Sequence, residues 1–95
     1  MSDKELSVAM GVLKRTMKEL AMYQDEVAKG QARLAAMQPN DDGHKQASQV
    51  LDESRAMVAN TADRLEVAIA NLARFDADEA RSIVDQGSAL LKQVS

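Results

Sequence analysis

The stretch from Ala47 to Phe75 has a strict periodicity that limits what the chain can fold into. Every third or fourth residue is apolar or a small hydroxyl residue, over three to four heptads, and no Pro or Gly interrupts the pattern. This spacing places the side chains on one side of an α-helix. A stripe of this length is typical of a helix packed against other helices. The stripe consists of Ala47, Leu51, Ser54, Val58, Thr61, Leu65, Ala68, Leu72 and Phe75.

A second stripe with the same spacing lies earlier in the chain and predicts a first helix of similar length. Ser2 and Glu5 have the spacing of a capping box, so this helix is expected to begin near Asp3. Pro39 disfavours helical backbone in the residue before it, so the helix is expected to end shortly before the proline. The stripe consists of Leu6, Met10, Leu13, Met17, Leu20, Gln24, Val27, Gln31 and Leu34.

Two turns separate three predicted helices. Residues 38–43, Gln-Pro-Asn-Asp-Asp-Gly, form the clearest turn signal, and Asp41 or Asp42 is expected to cap helix 2. Asp76 and Glu79 repeat the capping-box spacing and predict a second tight turn. The stripe of helix 3 consists of Ala80, Ile83, Gly87, Leu90 and Val94.

The helix lengths predict an all-α fold, an elongated antiparallel three-helix bundle in up-down-up order with long, long and short helices. The first two helices are each roughly 50 Å long and the third roughly 25 Å. Helix 3 therefore covers about half of the hairpin, and the half near Pro39 is expected to be a two-helix antiparallel coiled coil. The helices are predicted over about residues 3–37, 42–74 and 77–93, in one domain over residues 1–95.

The composition argues against several classes of function. The chain has no Cys, which excludes disulfides and thiolate metal sites. Its net charge of −3 argues against binding to nucleic acid or to a membrane surface, both of which favour a basic face. No secretory leader pattern is present, and no apolar run approaches the ~18 residues of a membrane span. We therefore expect a cytoplasmic protein that binds neither nucleic acid nor membrane.

The residues that could carry chemistry are poorly placed for it. His44 is the one histidine and is expected in a solvated loop, with nothing to orient it as a catalytic base. Asp41 and Asp42 lack the twelve-residue ligand pattern of a calcium loop. No Ser has a His within helical reach, and there is no Gly-rich phosphate loop. We predict no enzyme activity, no cofactor and no metal.

Residues outside the stripes leave two interpretations open. The charged side chains there are either solvated helix surface or part of a docking face. Apolar residues also lie outside the stripes, among them Val8, Val12, Met22 and Val67, with Val67 expected level with the first turns of helix 1. They are either scattered surface residues, or contacts of helix 3, or a patch with a function.

Four segments, taken together, resemble the tubulin-binding cofactor A family, also called tubulin-specific chaperone A. They occur in the family's order around the polar turn and span about three quarters of the chain. Relatives have a proline near the position of Ala59, so a straighter helix 2 is expected here, and the region after Leu72 is shorter than in those relatives. The segments are residues 11–15, 18–23 around Lys18-Glu19 and Met22-Tyr23, 51–58 and 64–68.

The resemblance implies a small cytosolic protein that holds β-tubulin after its release from the chaperonin and passes it to other tubulin-folding cofactors, ahead of assembly with α-tubulin. It implies no nucleotide or metal, a monomer or weak homodimer, and an association with the microtubule cytoskeleton. The alternative is a generic coiled-coil adaptor or scaffold that binds another helical partner. The residues expected to bind β-tubulin are those of the matching segments that lie outside the stripes: Lys14, Arg15, Lys18, Met22, Tyr23, Glu53, Arg55, Arg64 and Glu66.

Overall fold

The computed structural model describes residues 3–94 as three α-helices, and this part of the chain contains no strand. The helices are α1 (Asp3–Ala35), α2 (His44–Leu72) and α3 (Asp78–Val94). The molecule measures 59 × 19 × 14 Å, with a radius of gyration of 17.0 Å, whereas a compact domain of this length has about 12 Å. The predicted fold, an elongated three-helix bundle, is confirmed. The capping box predicted at Ser2 lies outside the described residues.

The core follows the stripe of α2 closely. Eight of its nine residues are buried, and the ninth, Val58, is half-buried. In the half of the hairpin that α3 covers, this stripe packs against side chains of both other helices. The α2 helix runs without interruption through Ala59, near the position at which relatives are expected to have a proline. The buried partners are Ala9, Leu13 and Leu20 on α1 and Ala80 and Ile83 on α3.

On α1 the buried side differs from the predicted stripe at three points, the first being that Ala9, outside the stripe, is buried. Thr16 is buried, and its hydroxyl donates a hydrogen bond to the carbonyl oxygen of Val12 at 2.8 Å. Gln31 is exposed, because α3 has ended before this level and only the side facing α2 is covered. Gly30 makes the contact there instead: a Cβ on it would lie 3.1 Å from Cδ1 of Leu51.

The turn between α1 and α2 is built differently from the prediction that Asp41 or Asp42 caps helix 2, and that prediction is wrong. The residue at the N-cap is Gly43, with a φ of 84° and no side-chain cap hydrogen bond. The carboxylate of Asp41 instead accepts a hydrogen bond from the backbone N–H of Gln38 at 2.8 Å. Asp41 therefore stabilises the turn itself, and glycine supplies the left-handed backbone that the chain needs to enter α2.

The second turn sends α3 back along the covered half of the hairpin. Arg81 binds the carboxylates of both Asp76 and Asp78, so Asp76 ties the turn to the first part of α3. At its far end, Val94 faces a cavity shared with Val27 and Val58. Beyond that level α1 and α2 continue as a two-helix hairpin, as the lengths predict. No helix within residues 3–94 is long and apolar enough to cross a membrane.

Candidate functional site

One side of the α1–α2 hairpin has no helix packed on it. The α3 helix fills the groove on the other side, where a Cβ on Gly87 would lie 3.2 Å from Cγ1 of Ile69 and 3.3 Å from Cδ1 of Leu13. On the opposite side, cavities of about 340 Å³ lie towards both ends of the hairpin, and no residue of α3 lines them. One is lined by residues that include Val8 and Val12, the other by residues that include Val50.

We call this surface the uncovered face. Its residues follow one another at steps of three and four on each helix, which keeps them on one side. The cavity-lining residues fix its two ends, and an ion pair between Glu19 and Arg64 at 3.1 Å joins the helices in the middle. It consists of Val8, Val12, Arg15, Glu19, Met22, Glu26, Lys29 and Arg33 on α1, and Gln46, Val50, Glu53, Met57, Asn60, Arg64, Val67, Asn71 and Arg74 on α2 and the turn after it.

The uncovered face holds all of the exposed large hydrophobic residues of the described chain. Their exposed fractions range from 38% to 70%. Large apolar side chains on other surfaces of residues 3–94 are at least partly covered, so the exposed ones are confined to this side of the hairpin. An apolar patch rimmed by polar residues marks an interaction site. The five residues are Val8, Val12, Met22, Val50 and Val67.

The charge of the uncovered face is opposite in sign to that of the whole chain. The face carries five basic and three acidic residues, whereas the chain has a net charge of −3. Within the described residues, Arg15 and Arg33 make no ion pair. Lys29 donates a hydrogen bond to Asp25 at 2.9 Å, and this bond, together with the attraction between the two charges, raises the pKa of Lys29 above 10.5. On the uncovered face, the guanidinium groups of Arg15 and Arg33 are therefore available to an anionic partner.

Of the nine residues expected to bind β-tubulin, four lie on the uncovered face. Arg15, Met22 and Glu53 are exposed there. The fourth, Arg64, also has a structural role: besides Glu19 it donates hydrogen bonds to Oδ1 of Asn60 at 3.2 Å and to Oγ1 of Thr61 at 3.1 Å.

Of the remaining five, Tyr23 is half-buried next to Met22 in the chain, and the other four lie on different surfaces. Lys14 and Lys18 are exposed. Their positions around α1 relative to Arg15 mean that their side chains point away from α2. Arg55 lines the cavity at the end of α3, and Glu66 is exposed on the outer side of α2. The nine residues therefore do not form one continuous site.

Sequence reasoning missed two apolar residues of the uncovered face, Val50 and Met57. The sequence did contain a signal for them. Val50, Met57, Arg64 and Asn71 follow one another at intervals of seven residues, which places them on one side of α2. Val67, expected near Val8 and Val12, lies about one turn along the face from Val12 and about two turns from Val8, since the Glu19–Arg64 pair places it level with residue 16.

The uncovered face has the shape and composition of a contact site. Within residues 3–94 no three His, Asp or Glu side chains are grouped as a metal ion would require. His44 is the first residue of α2 and is half-buried, and its backbone N–H donates to the carbonyl oxygen of Asp41 at 3.2 Å. What the geometry offers is a long, shallow, mixed apolar and charged groove.

Comparisons with known proteins identify the family. The model of the tubulin binding cofactor A family matches residues 1–93. The chain is similar to tubulin-specific chaperone A of chicken (Gallus gallus), with 30% identity over 96 residues, covering 86% of this chain and 89% of that protein. It is also similar to human tubulin-specific chaperone A, with 31% identity over 75 residues, covering 76% of this chain and 69% of that protein. No solved structure matches. The chain belongs to the tubulin binding cofactor A family.

Proposed function

We propose that this protein binds β-tubulin after its release from the chaperonin and holds it until it assembles with α-tubulin. The observation that carries the proposal is the family match over residues 1–93. Membership of this family supports a tubulin-folding chaperone, and such a chaperone is not an enzyme, in agreement with the prediction from the sequence. The choice of β-tubulin, the stage of folding and the transfer to other cofactors are the proposed part.

The shape and surface of the molecule support a holding function. A folding intermediate exposes apolar surface that would otherwise aggregate. A rod of 59 Å with apolar residues distributed along one face can cover such a surface over a long distance. Because the apolar residues alternate with charged ones, the contact would be reversible rather than permanent, as a handover requires.

We place the contact on the uncovered face, with Arg15, Met22, Glu53 and Arg64 as its members from the expected set and Tyr23 beside Met22. Met22 and Tyr23 supply apolar contact, while Arg15 and Glu53 steer the encounter and fix its register. The four expected residues on other surfaces would contact β-tubulin only if it reached around the rod. We further propose that the protein acts in the cytoplasm, near the microtubule cytoskeleton, as a monomer or weak homodimer.

A capture experiment tests the proposal. The purified, tagged protein is incubated with cytosolic extract, recovered, and blotted separately for α-tubulin and β-tubulin. Recovery of β-tubulin without α-tubulin is the expected result. Recovery of both in equal amounts would show binding to the assembled dimer, and the holding function would be wrong. Recovery of neither, by protein shown to be folded by circular dichroism, would overturn the proposal and favour the adaptor or scaffold function, to which the apolar uncovered face is also suited.

A further inference from the structure

We propose that the uncovered face binds an amphipathic, acidic helix of the client, lying in the groove between α1 and α2 on the side opposite α3. The client helix would then be the fourth helix of a bundle. This inference rests on the proposed function, since it specifies which kind of element of β-tubulin the protein holds.

The groove has the geometry that a helix requires. Two helices packed side by side form one groove on each side, and ridges of side chains spaced by three and four residues accept the ridges of another helix. The α3 helix occupies one of these grooves along half of the hairpin. The other groove has the same residue spacing, and its apolar side chains are exposed to solvent. Helix-in-groove binding uses apolar anchors at this spacing.

The apolar anchors and the free cations set the length of the partner. Val67 and Val50 stand 17 residues apart on α2, which corresponds to roughly 25 Å. Arg15 and Arg33 stand 18 residues apart on α1, roughly 27 Å. A helix of about five turns would span both pairs.

The charge of the uncovered face determines which sign of charge is expected on the partner. Five basic residues against three acidic ones, with Arg15 and Arg33 unpaired among the described residues, favour an acidic helix. The same charge argues against a second copy of this chain as the occupant. Two uncovered faces related by a twofold axis would place one net positive surface against another, which costs binding energy.

Variants in matched pairs test the inference by the amount of β-tubulin captured. Arg15→Glu is compared with Lys92→Glu, the same change of charge at an exposed position of α3, outside the uncovered face and outside the expected set. Met22→Gln is compared with Ala21→Gln, since both positions are exposed and adjacent. We expect Arg15→Glu and Met22→Gln to lower capture by about tenfold and the two controls to leave it unchanged, with equal helicity in all four variants.

A photo-crosslinking amino acid in place of Val67 or of Val50 then identifies the bound element. The expected result is that both positions cross-link to one acidic helical segment of β-tubulin, at sites about five turns apart. Cross-links to separate segments, to a second copy of this chain, or stronger ones from a control position at Ala21, would overturn the inference. Equal capture by all four variants would also overturn it while leaving the proposed function intact. Failure of the unmodified protein to capture β-tubulin would overturn both.

Discussion

Replacing Gly87 with Ala sets two effects against each other. Gly87 is buried in α3, where that helix fits between α1 and α2. A Cβ there would lie 3.2 Å from Cγ1 and 3.3 Å from Cδ1 of Ile69, and 3.3 Å from Cδ1 of Leu13. Alanine favours the helix over glycine, but its methyl group would press on two neighbours at once. Leu13 is fully buried and therefore enclosed by neighbouring atoms, whereas Ile69 is half-buried.

Gly11 provides the control, because a Cβ at that position meets no atom within 4 Å. Gly11→Ala therefore measures the helical preference alone, a gain in unfolding free energy of roughly 0.5–1 kcal/mol. At Gly87 the same gain is offset by an overpacking cost of roughly 1–3 kcal/mol. We expect a net loss of about 1 kcal/mol for Gly87→Ala, and a difference between the two variants of about 2 kcal/mol.

Thermal and urea unfolding followed by circular dichroism at the helix band measure both variants. A difference of that size separates the two midpoints by roughly 8–16 °C in a domain of this length. Gly11→Ala should unfold above the unmodified protein and Gly87→Ala below it. If Gly87→Ala raised the midpoint as much as Gly11→Ala, the close approach of α3 to Ile69 and Leu13 would not need glycine, and the reasoning would be refuted.

Three further predictions follow from the packing and the charges. Gly43→Ala should lower the free energy of unfolding, measured in urea, by about 1 kcal/mol, because the φ of this N-cap residue is 84°. A loss no greater than that of an exposed alanine substitution elsewhere would contradict this prediction. Leu65→Ala should lower the free energy of unfolding by roughly 3–5 kcal/mol, and Leu51→Ala should lower it by less. Leu65 is fully buried where all three helices pack together, whereas Leu51 lies in the two-helix half. Equal losses would show that the two halves pack alike. Asp25→Asn should return the pKa of Lys29 towards 10.5, observed by NMR titration of the lysine side chain. Because that pKa is raised in the folded protein, any stability from the pair is fully present below pH 10.5 and is lost only as the pH rises through the raised value.

The core could be predicted where burial follows from spacing alone. On α2 an apolar stripe without breaks can only be the packed side, and eight of its nine residues are buried. On α1, Thr16 was missed because a threonine gives no apolar signal. Its hydroxyl bonds to the carbonyl oxygen of Val12 in its own helix, so the residue can be buried without an unpaired polar group. Asp41 was misplaced because one aspartate can serve several backbone N–H groups of a tight turn, and spacing does not choose among them.

The candidate site was only partly predictable, for a different reason. The segments that match the family contain residues on every side of α1 and α2 outside the core. The spacing of a hairpin defines two grooves, and nothing in the periodicity of α1 and α2 shows which groove α3 fills. Only the packed structure shows that α3 lies against Leu13 and Ile69, and therefore that Val50 and Met57 share an open face with Arg15 while Lys14 does not.

The one-sided position of α3 separates folding from binding within a small protein. The buried cluster lies on α1, α2 and α3 in the covered half, so the free energy of folding comes largely from residues that a partner cannot reach. The exposed apolar residues of the uncovered face, such as Val67 at 70% exposure, contribute little to that cluster. They are therefore free to change the affinity for a client without unfolding the rod. The proposed holding function would need this separation, because the protein would have to release its client while its own fold stays intact.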